Sequence, residues 1–553
     1  MWAGPVLTSR TIAGSPMRKI VLMTLLALGV AAVMAPAASA RADQLSVMQD
    51  DDALLYSGAG KMQDTLRKMD DAGVDMVRVT VLWAVVAENA YPSRTEIRRM
   101  DSAGDRRTAQ RQRERFRAED PHTYPTGPWD KYDDLVRFAR EVGIEVLFNV
   151  TGPGPRWAHG TPPRSLRELA PAWRPDANDY KDYVTAVSER YTGRMHDENA
   201  GESKLPRVSN WTLWNEPNQA GWLAPQWGND SDTGARIPTG PKLYRQLYHK
   251  GRSALSASGH GNDEILLGEL APQGTDRKSA NEPLTPGRFL REMFCLGSDF
   301  RVLGGRSARA RDCDRFGTTR ASGFSHHPYT KDVSPLAGDP KEDWFNMANI
   351  DDLGTLLDRI SKASDGKLDD GLRLWMTEYG FETSPPDPFQ GVTLDEQAHW
   401  NQLGDYLGWL SPRVASQAQF LLTDSGPARQ HTPNTKAFWK TFQTGLLYHD
   451  GQPKPAFQAY RFPFLAGPAG TTNVSTWGQV RYRRNGVPTA VRLQWRPNAQ
   501  NGWADIGDII EVRDELGFFT ATVPKPGPGE WRAVALGTGN VGVDAASLPR
   551  PVG

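Results

Sequence analysis

Residues 210–218 of the chain read NWTLWNEPN. The first residues of this stretch are aromatic, apolar and β-branched, the types that favour a buried strand. Pro217 has no N–H to donate to a sheet, so a strand that enters here has to end before it. The stretch therefore predicts a strand with Asn215 and Glu216 at its carboxyl end.

A second stretch has the same order of residue types. Residues 372–380 read LRLWMTEYG, so an apolar run again ends in one glutamate, Glu378, and then in Gly380. Cleavage of a glycosidic bond needs two carboxyl groups, one to protonate the departing oxygen and one to attack or to activate water, because positive charge develops on the sugar ring. Two glutamates at strand ends favour this kind of mechanism.

Strand patterns alternate with helix patterns through most of the chain. Besides the two glutamate strands, apolar runs predict strands at residues 45–48, 74–83, 144–149, 264–268, 323–327 and 415–422. Helical spacing predicts helices at residues 61–72, 129–142, 179–191, 243–257, 288–293, 351–361 and 437–448, and one that opens at the capping box Thr393–Glu396. Eight strand–helix units predict an α/β fold of the (β/α)8 TIM barrel type, with the active site at the carboxyl ends of the strands.

The pattern changes near residue 467. Apolar residues alternate up to Tyr482, Asn485-Gly486 follows, and the alternation resumes at Val491. Asn-Gly between two such runs predicts a β-hairpin, and further strands are predicted at residues 509–513, 518–523 and 531–536. The expected parts are an N-terminal extension with a signal peptide at 1–40, the barrel at 41–466 and a small all-β, sandwich-like domain at 467–553.

The amino-terminal residues have the pattern of a secretory signal peptide. Residues 17–19 are a basic start, residues 20–34 are apolar, and Ala38-Ser39-Ala40 is a small-residue cleavage site. Residues 1–16 are interpreted as an extension from an upstream start codon. The apolar stretch is too short to span a bilayer comfortably, and no later stretch predicts a membrane span. We therefore expect a secreted, extracellular protein.

The charge and the cysteine content limit the kinds of binding partner and ligand that we expect. The chain has 65 Lys+Arg and 65 Asp+Glu, so its charge favours neither nucleic acid nor an anionic membrane. Its two cysteines, Cys295 and Cys313, favour a disulfide over a metal site in an oxidising compartment. His326-His327 lacks a third ligand at metal-binding spacing. We expect no metal and no cofactor, and the oligomeric state stays open.

With both glutamate motifs in this order, the chain resembles the clan A retaining glycoside hydrolases, closest to family 39 and next to family 5, over residues 45 to 465. The resemblance implies an enzyme that hydrolyses O-glycosyl compounds with retention of configuration. It also implies that Glu216 is the acid/base, that Glu378 is the nucleophile, and that Asn215 holds the 2-hydroxyl of the sugar.

Other positions match the same families. Residues 325–329 read SHHPY and resemble a His-x-Tyr element, which implies that His327 contacts the sugar and that Tyr329 hydrogen-bonds the nucleophile. Arg78 matches the arginine that keeps the nucleophile ionised, since a neighbouring cation favours the charged carboxylate. Trp157, within PRWA at residues 155–158, lies in a segment that resembles a sugar subsite.

The predicted eighth strand departs from these families. It ends in FLLTD at residues 420–424, where many clan members have a tryptophan beneath the bound sugar. Either Trp83, Trp157, Trp222 or Trp227 supplies the platform, or the subsite is unlike that of the family. Trp157 and Trp222 are taken as substrate-binding residues, the second because it follows Glu216 in the same loop.

Three further features are interpreted as structural. Glu269, at the end of the fifth strand, is a third carboxylate in the same ring and is expected not to touch the substrate. Asp50-Asp51-Asp52 after the first strand is interpreted as a solvated acidic turn, and the Arg-rich insert 94–120 as a solvated excursion with few large apolar residues.

The leading hypothesis is a secreted retaining O-glycoside hydrolase that acts on a glycoside or polysaccharide by a two-glutamate double displacement. The alternative is a catalytically silent carbohydrate-binding protein on the same barrel, and a third hypothesis is a surface interaction protein that acts through residues 467–553. The intact pair of glutamates favours the enzyme. The sugar, exo or endo action, and hydrolysis or transfer all stay open.

Overall fold

The computed structural model describes residues 44–88, 90, 107, 111, 114–199, 201, 203–338, 341–482, 489–536 and 546–553. The predicted signal peptide, most of the Arg-rich insert and the Asn485-Gly486 turn lie outside these residues. Within them, no helix is both long enough and apolar enough to cross a membrane.

Eight parallel strands form a closed barrel in chain order. Strands β1 to β8 are Leu45–Gln49, Met76–Leu82, Glu145–Thr151, Asn210–Leu213, Glu264–Leu270, Gly323–His326, Arg373–Met376 and Val414–Phe420. The last strand closes the barrel by pairing in parallel with the first, in a register that places Leu45 opposite Ser416. Each predicted barrel strand overlaps an observed one, and the prediction of a TIM barrel is confirmed.

Helices lie between the strands in the sequence and cover the outside of the barrel. Helices α1 to α11 are Asp51–Leu55, Ala59–Ala72, Trp83–Val86, Gly127–Val142, Ala177–Arg190, Gly240–Ala257, Pro286–Met293, Gly305–Ala310, Ile350–Ala363, Leu394–Leu410 and Pro455–Arg461. The predicted capping box is present at the start of α10, where the Thr393 hydroxyl accepts from Glu396 N and the Glu396 carboxylate accepts from Thr393 N. It satisfies backbone donors that the first turn of a helix leaves free.

Apolar side chains fill the barrel below its mouth. One cluster of buried residues lies inside the ring of strands and consists of Val47, Met76, Leu147, Leu266, Trp375, Ala415 and Ala418. A second and larger cluster packs the outer faces of the strands against the helices. The interior is therefore a packed core, and polar chemistry is confined to the carboxyl ends of the strands.

The helix predicted at residues 437–448 is wrong, since this segment has no helix and α11 begins later, at Pro455. Its backbone bonds to distant loops: Leu447 N donates to Leu422 O at 2.8 Å, and Thr383 N donates to Gln443 O at 3.2 Å. These long-range bonds replace those that a helix would form within itself. Pro455 supplies a better start, because its fixed φ suits the first helical turn.

Two antiparallel sheets follow the barrel. One contains β9 (Phe464–Ala469), β10 (Asn473–Gln479) and β13 (Phe518–Pro524); the other contains β11 (Thr489–Arg496), β12 (Ala504–Val512), β14 (Gly529–Leu536) and β15 (Arg550–Val552). Val474, Leu493, Phe519 and Trp531 belong to one buried cluster that both sheets share. The expected β domain is thus present, and β9 spans the predicted boundary at residues 466 and 467.

The predicted hairpin around Asn485-Gly486 is wrong in its pairing. Strand β10 pairs with β9 and β13, whereas β11 pairs with β12 and β14 in the other sheet. Val480 and Val491, from the two alternating runs, meet instead in the cluster between the sheets. Alternating apolar residues show that each run has one buried face. That face can be buried against the opposite sheet of a sandwich, so alternation does not show which strand pairs with the run.

The β domain packs on the barrel away from its mouth. Arg481 Nη2 lies 2.9 Å from Asp405 Oδ1 of α10, and the rings of Trp477 and Trp409 have centroids 6.0 Å apart. Gly73, which precedes β2, lies so close that a Cβ there would stand 2.2 Å from Arg481 O. These contacts lie towards the amino ends of the strands, opposite to the end where Glu216 and Glu378 follow β4 and β7.

Candidate functional site

The turn after β4 is held in an unusual backbone shape. Trp214 and Glu216 have left-handed φ angles of 79° and 37°, a backbone region that residues other than glycine rarely adopt. Neighbouring groups fix it: Asn215 N donates to Thr151 Oγ1 at 2.9 Å, and Trp214 Nε1 donates to Trp222 O at 3.1 Å. Strained residues cluster at functional sites, where the surroundings hold them in place.

Glu216 and Glu378 meet at the mouth of the barrel, with His327 between them. His327 Nδ1 lies 3.0 Å from Glu216 Oε1 and 3.5 Å from Glu378 Oε2. One oxygen of each carboxylate and one nitrogen of His327 all lie within 4.8 Å of one another. The glutamate side chains are 20% and 12% exposed, so both carboxyl groups still reach the solvent-filled mouth.

Each oxygen of Glu378 has its own partner. Arg78 Nη1 forms an ion pair with Oε1 at 3.1 Å, and the Tyr329 hydroxyl donates to Oε2 at 3.1 Å. The two partners come from β2 and from the segment after β6, and together they orient the carboxylate. The structure thus brings Arg78 and Tyr329 to Glu378.

Asn215 and His327 are both buried beside the two glutamates. Asn215 is buried, and its Oδ1 accepts from Arg78 Nη2 at 2.8 Å, which directs its amide nitrogen away from Arg78. His327 is completely buried, so its imidazole bridges the two glutamates and does not present a face to the mouth. Its predicted contact with a sugar stays a prediction.

Burial and charge act in opposite directions on these groups. Burial raises the pKa of Glu378, whereas the cations His327 and Arg78 lower it, and the pKa is raised overall. For His327 burial lowers the pKa, but the carboxylates of Glu378 and Glu216 raise it more, so its pKa lies above the ordinary value. The charged form of His327 is therefore favoured by its carboxylate neighbours, and the neutral form of Glu378 is favoured by burial.

Among the residues that the structure describes, two groups have the ligand types of a metal site. Glu216, His327 and Glu378 form one, but the Arg78 guanidinium beside Glu378 would repel a cation. The other consists of Asp133, Asp197 and Glu198. Arg190 forms ion pairs with Asp133 and Glu198, and Arg137 forms one with Asp197. His326, the other histidine of the pair, donates its Nε2 hydrogen to Phe345 O at 2.9 Å, and burial lowers its pKa to about 3.

The four candidate tryptophans divide into two pairs. Trp83 is completely buried and stacks on Tyr183 with centroids 5.4 Å apart, and Trp227 is only 3% exposed. Neither can serve as a platform for a sugar. Trp157 and Trp222 are half-buried and keep part of their rings at the surface, and Trp222 is fixed through its carbonyl to the Trp214 ring.

Sequence reasoning missed an aromatic row at the end of β8. The Phe420 ring lies edge-on to Tyr329, with centroids 6.4 Å apart, and to Phe442, with centroids 5.3 Å apart. Phe442 is 52% exposed. The sequence did not indicate Phe442 as a site residue because the segment that contains it was predicted to be a helix. The row runs from Tyr329, which hydrogen-bonds Glu378, to the exposed ring of Phe442.

The interpretation of Asp50-Asp51-Asp52 as a solvated turn is wrong. Asp50 is buried, its side chain accepts from Ala53 N at 3.1 Å and from Thr423 N at 3.0 Å, and burial raises its pKa to about 7. Asp51 is half-buried and accepts from Thr80 N at 3.1 Å. Asp50 thus holds the loop after β8, Asp51 bonds to strand β2, and of the three only Asp52 is exposed.

Two other predicted residues have clear positions. Glu269 is completely buried and binds Arg78, so it lies beside the site without facing the mouth. Cys295 and Cys313 are joined by a disulfide that links the end of α7 to the segment after α8.

No protein-family model and no curated protein matches the chain. Among solved structures, it is similar to a family 39 glycoside hydrolase from the gut symbiont Bacteroides cellulosilyticus WH2, with 16% identity over 88% of this chain and 82% of that one and a TM-score of 0.44. It is also similar to a monomeric β-xylosidase from Caulobacter crescentus CB15, with 12% identity over 89% and 95% of the two chains and a TM-score of 0.42. A GH5_18 protein from Streptomyces cattleya, in complex with GlcNAc, has 15% identity over 76% and 79% and a TM-score of 0.42. This likeness concerns the architecture alone.

Proposed function

We propose that this protein is a retaining O-glycoside hydrolase that uses Glu216 and Glu378 in a double displacement. The observation behind the proposal is the separation of the two carboxylates, whose nearest oxygens lie within 4.8 Å at the mouth of the barrel. Retaining enzymes place the two groups about 5 to 5.5 Å apart, whereas inverting enzymes need about 6.5 to 9.5 Å to admit a water between them. The short separation supports direct attack by one carboxylate.

Glu378 has the surroundings of the nucleophile. Arg78 and Tyr329 each hold one of its oxygens, so the carboxylate is oriented before the substrate arrives. In the first step, an oxygen of Glu378 bonds to the anomeric carbon while the bond from that carbon to the leaving oxygen breaks. Arg78 favours the ionised form that this attack requires.

Glu216 has the surroundings of the group that exchanges a proton. Its carboxyl is more exposed than that of Glu378, and its hydrogen-bond partner His327 can itself gain or lose a proton. In the first step its proton goes to the leaving oxygen. In the second step it takes a proton from water as the water oxygen bonds to the anomeric carbon and the bond to Glu378 breaks.

We further propose that the substrate is a glycoside or polysaccharide met outside the cell. The signal-peptide pattern at residues 17–40 supports export, and the Cys295–Cys313 disulfide is of the kind that persists in an oxidising compartment. The half-exposed rings of Trp157 and Trp222 and the aromatic row ending at Phe442 offer faces on which sugars stack.

Turnover of a panel of nitrophenyl glycosides and polysaccharides tests the proposal, with proton NMR of the first-formed anomer. A retained anomer is expected. An inverted anomer would contradict the role of Glu378. Binding of sugars without any turnover would identify the catalytically silent carbohydrate-binding protein instead.

A further inference from the structure

The end of β5 is shaped to turn one side chain inward. Gly268 and Glu269 have left-handed φ angles of 116° and 57°, and the pairing of β5 with β6 shifts register between Gly268 and Leu270. A bulge of this kind changes the direction of a side chain next to a functional site. Position 268 requires glycine, since a Cβ there would stand 2.4 Å from Ser325 O.

A tyrosine from α6 holds this bulge. The Tyr244 hydroxyl accepts from Gly268 N at 2.8 Å and donates towards Gly268 O at 3.3 Å. Both backbone groups of Gly268 therefore bond to the same side chain, which is itself buried. The position of Glu269 is thus fixed from outside the barrel.

Glu269 uses its carboxylate on the protein. Oε1 accepts from Arg78 Nε at 2.8 Å, and Oε2 accepts from Arg78 Nη2 at 2.6 Å and from Asn149 Nδ2. The side chain has no exposed surface. Glu269 grips one edge of the guanidinium in a bidentate pair and has no oxygen directed at the mouth.

Because Glu269 binds Arg78, it determines how the guanidinium faces Glu378. An arginine has five N–H donors in a rigid plane. Arg78 donates to Glu269 twice, to Asn215 once and to Gln49 once, and its Nη1 also forms an ion pair with Glu378 at 3.1 Å. With the plane fixed by Glu269, the guanidinium meets Glu378 through Nη1 alone.

We propose that Glu269 is a positioning residue, which holds Arg78 by one edge so that the guanidinium is shared between two carboxylates and leaves Glu378 a strong nucleophile. The inference rests on the proposed function, because it assigns Glu378 that role. Without Glu269, Arg78 would have Glu378 as its nearest carboxylate, and could turn the edge of its guanidinium to it.

The charged groups around Glu378 determine the direction of the expected change. They are Arg78 from β2, Glu216 from the turn after β4, Glu269 from β5, and His327 and Tyr329 from the segment after β6. Among them, the carboxylates of Glu216 and Glu269 raise the pKa of Glu378, and His327 and Arg78 lower it. Replacing Glu269 by a neutral residue of the same size therefore lowers the pKa of Glu378.

Glu269→Gln is the direct test, with Glu269→Asp as the variant that keeps the charge. The acid limb of kcat/KM reports ionisation of the free enzyme. We expect it to move to lower pH by about one unit in Glu269→Gln, while kcat at its plateau falls about 100-fold as Arg78 shifts. Glu269→Asp should lose rate but keep the acid limb of the parent.

Asp405→Asn is the matched control, since it removes the carboxylate from another buried arginine, Arg481, far from the mouth. It should lower the melting temperature without moving the acid limb. An acid limb that stays in place in Glu269→Gln, or that moves equally in Glu269→Asp, overturns the proposal. If Glu269→Gln does not fold, Tyr244→Phe decides, because it loosens the bulge without changing any charge, and an unchanged kcat there overturns the proposal too.

A second measurement does not depend on turnover. Carbon NMR of protein labelled at the glutamate carboxyls follows the titration of Glu378 directly, with Glu378→Gln to assign its signal. A lower pKa in Glu269→Gln supports the positioning role even if no glycoside is hydrolysed, in which case the proposed function alone fails. An unchanged pKa refutes the inference while turnover of the parent leaves the proposed function standing.

Discussion

Two of the buried arginines invite comparison, Arg78 at the mouth of the barrel and Arg481 between the barrel and the β domain. Arg481 faces one carboxylate at ion-pair distance, Asp405, and its other donors bond to Gln479 Oε1 and Tyr460 O. Arg78 faces two carboxylates, Glu269 and Glu378, with Glu216 close by. At ion-pair distance, Arg481 therefore meets one carboxylate and Arg78 meets two.

The direction of a pKa shift does not separate these sites. Burial raises the pKa of Asp405 as it raises that of Glu378, although Arg481 and Arg78 lower them. What differs is the number of carboxylates at ion-pair distance and their access to the mouth. A buried carboxylate with a single arginine partner orients a structure, whereas several carboxylates brought together in a cleft are typical of a site that performs acid–base chemistry.

Glu378→Ala is the strongest test of the difference between the two sites. We expect kcat/KM on every aryl glycoside to fall by roughly 10⁴-fold or more, because the attacking group is gone. The melting temperature should change little, since Arg78 keeps its pair with Glu269. Steady-state kinetics and calorimetry check both parts, and added azide should give a glycosyl azide of inverted configuration. Substantial residual turnover would remove Glu378 from the mechanism.

Glu216→Ala separates the roles of the two glutamates. General acid catalysis contributes about 10² to 10⁴-fold, so substrates with alkyl or sugar leaving groups should lose that much. A dinitrophenyl glycoside should keep its first step, because its leaving group departs without a proton. Azide should restore turnover with a product of retained configuration. Azide rescue in the opposite pattern would show that the two roles are reversed.

Asp405→Asn sharpens the comparison from the other side. It leaves the buried guanidinium of Arg481 without its carboxylate, and breaking a buried pair in this way costs about 3 kcal/mol of unfolding free energy. The activity of the folded fraction should stay within twofold of the parent, roughly the scatter of additive effects at distant sites. Denaturant unfolding and kinetics on the same sample check this. A large loss of kcat would show that the two ends of the barrel are coupled.

The smallest effect is expected from Tyr329→Phe. It removes one of the two donors to Glu378, and a hydrogen bond to a charged group contributes about 1.5 to 3 kcal/mol. We therefore expect kcat/KM to fall about tenfold to a hundredfold, with Arg78 still holding the other oxygen. Kinetics at several pH values measure it. A change below twofold would mean that Tyr329 does not orient the nucleophile.

The barrel and the pair of glutamates could be predicted because their signals are local. An apolar run that stops at Glu216 or Glu378 shows where a strand ends, and eight such units close into one barrel. The role of Glu269 could not be predicted in this way. Its direction depends on a bulge that is fixed by Tyr244 and Ser325, which lie far from it in the sequence.

The two errors in the fold have the same cause. Residues 437–448 have apolar spacing that suits a helix, but their backbone bonds to Leu422 and Thr383 in other loops. The alternating runs around Asn485-Gly486 suit a hairpin, but each strand pairs with a partner that comes later or earlier in the chain. Local pattern shows which face of a segment is buried, and the partner that buries it has to be found in three dimensions.

The closure of the barrel also has a consequence for how the chain reaches its native state. Asp50 accepts from Thr423 N across 373 positions of sequence, beside the pairing of β1 with β8. This seam forms only after almost the whole barrel has been synthesised, and contacts between such distant residues slow folding because a long loop must first be closed. Until then, the edge of β1 that will pair with β8 stays open. A chain emerging from a ribosome or a translocation channel would therefore need protection from aggregation until its eighth strand arrives.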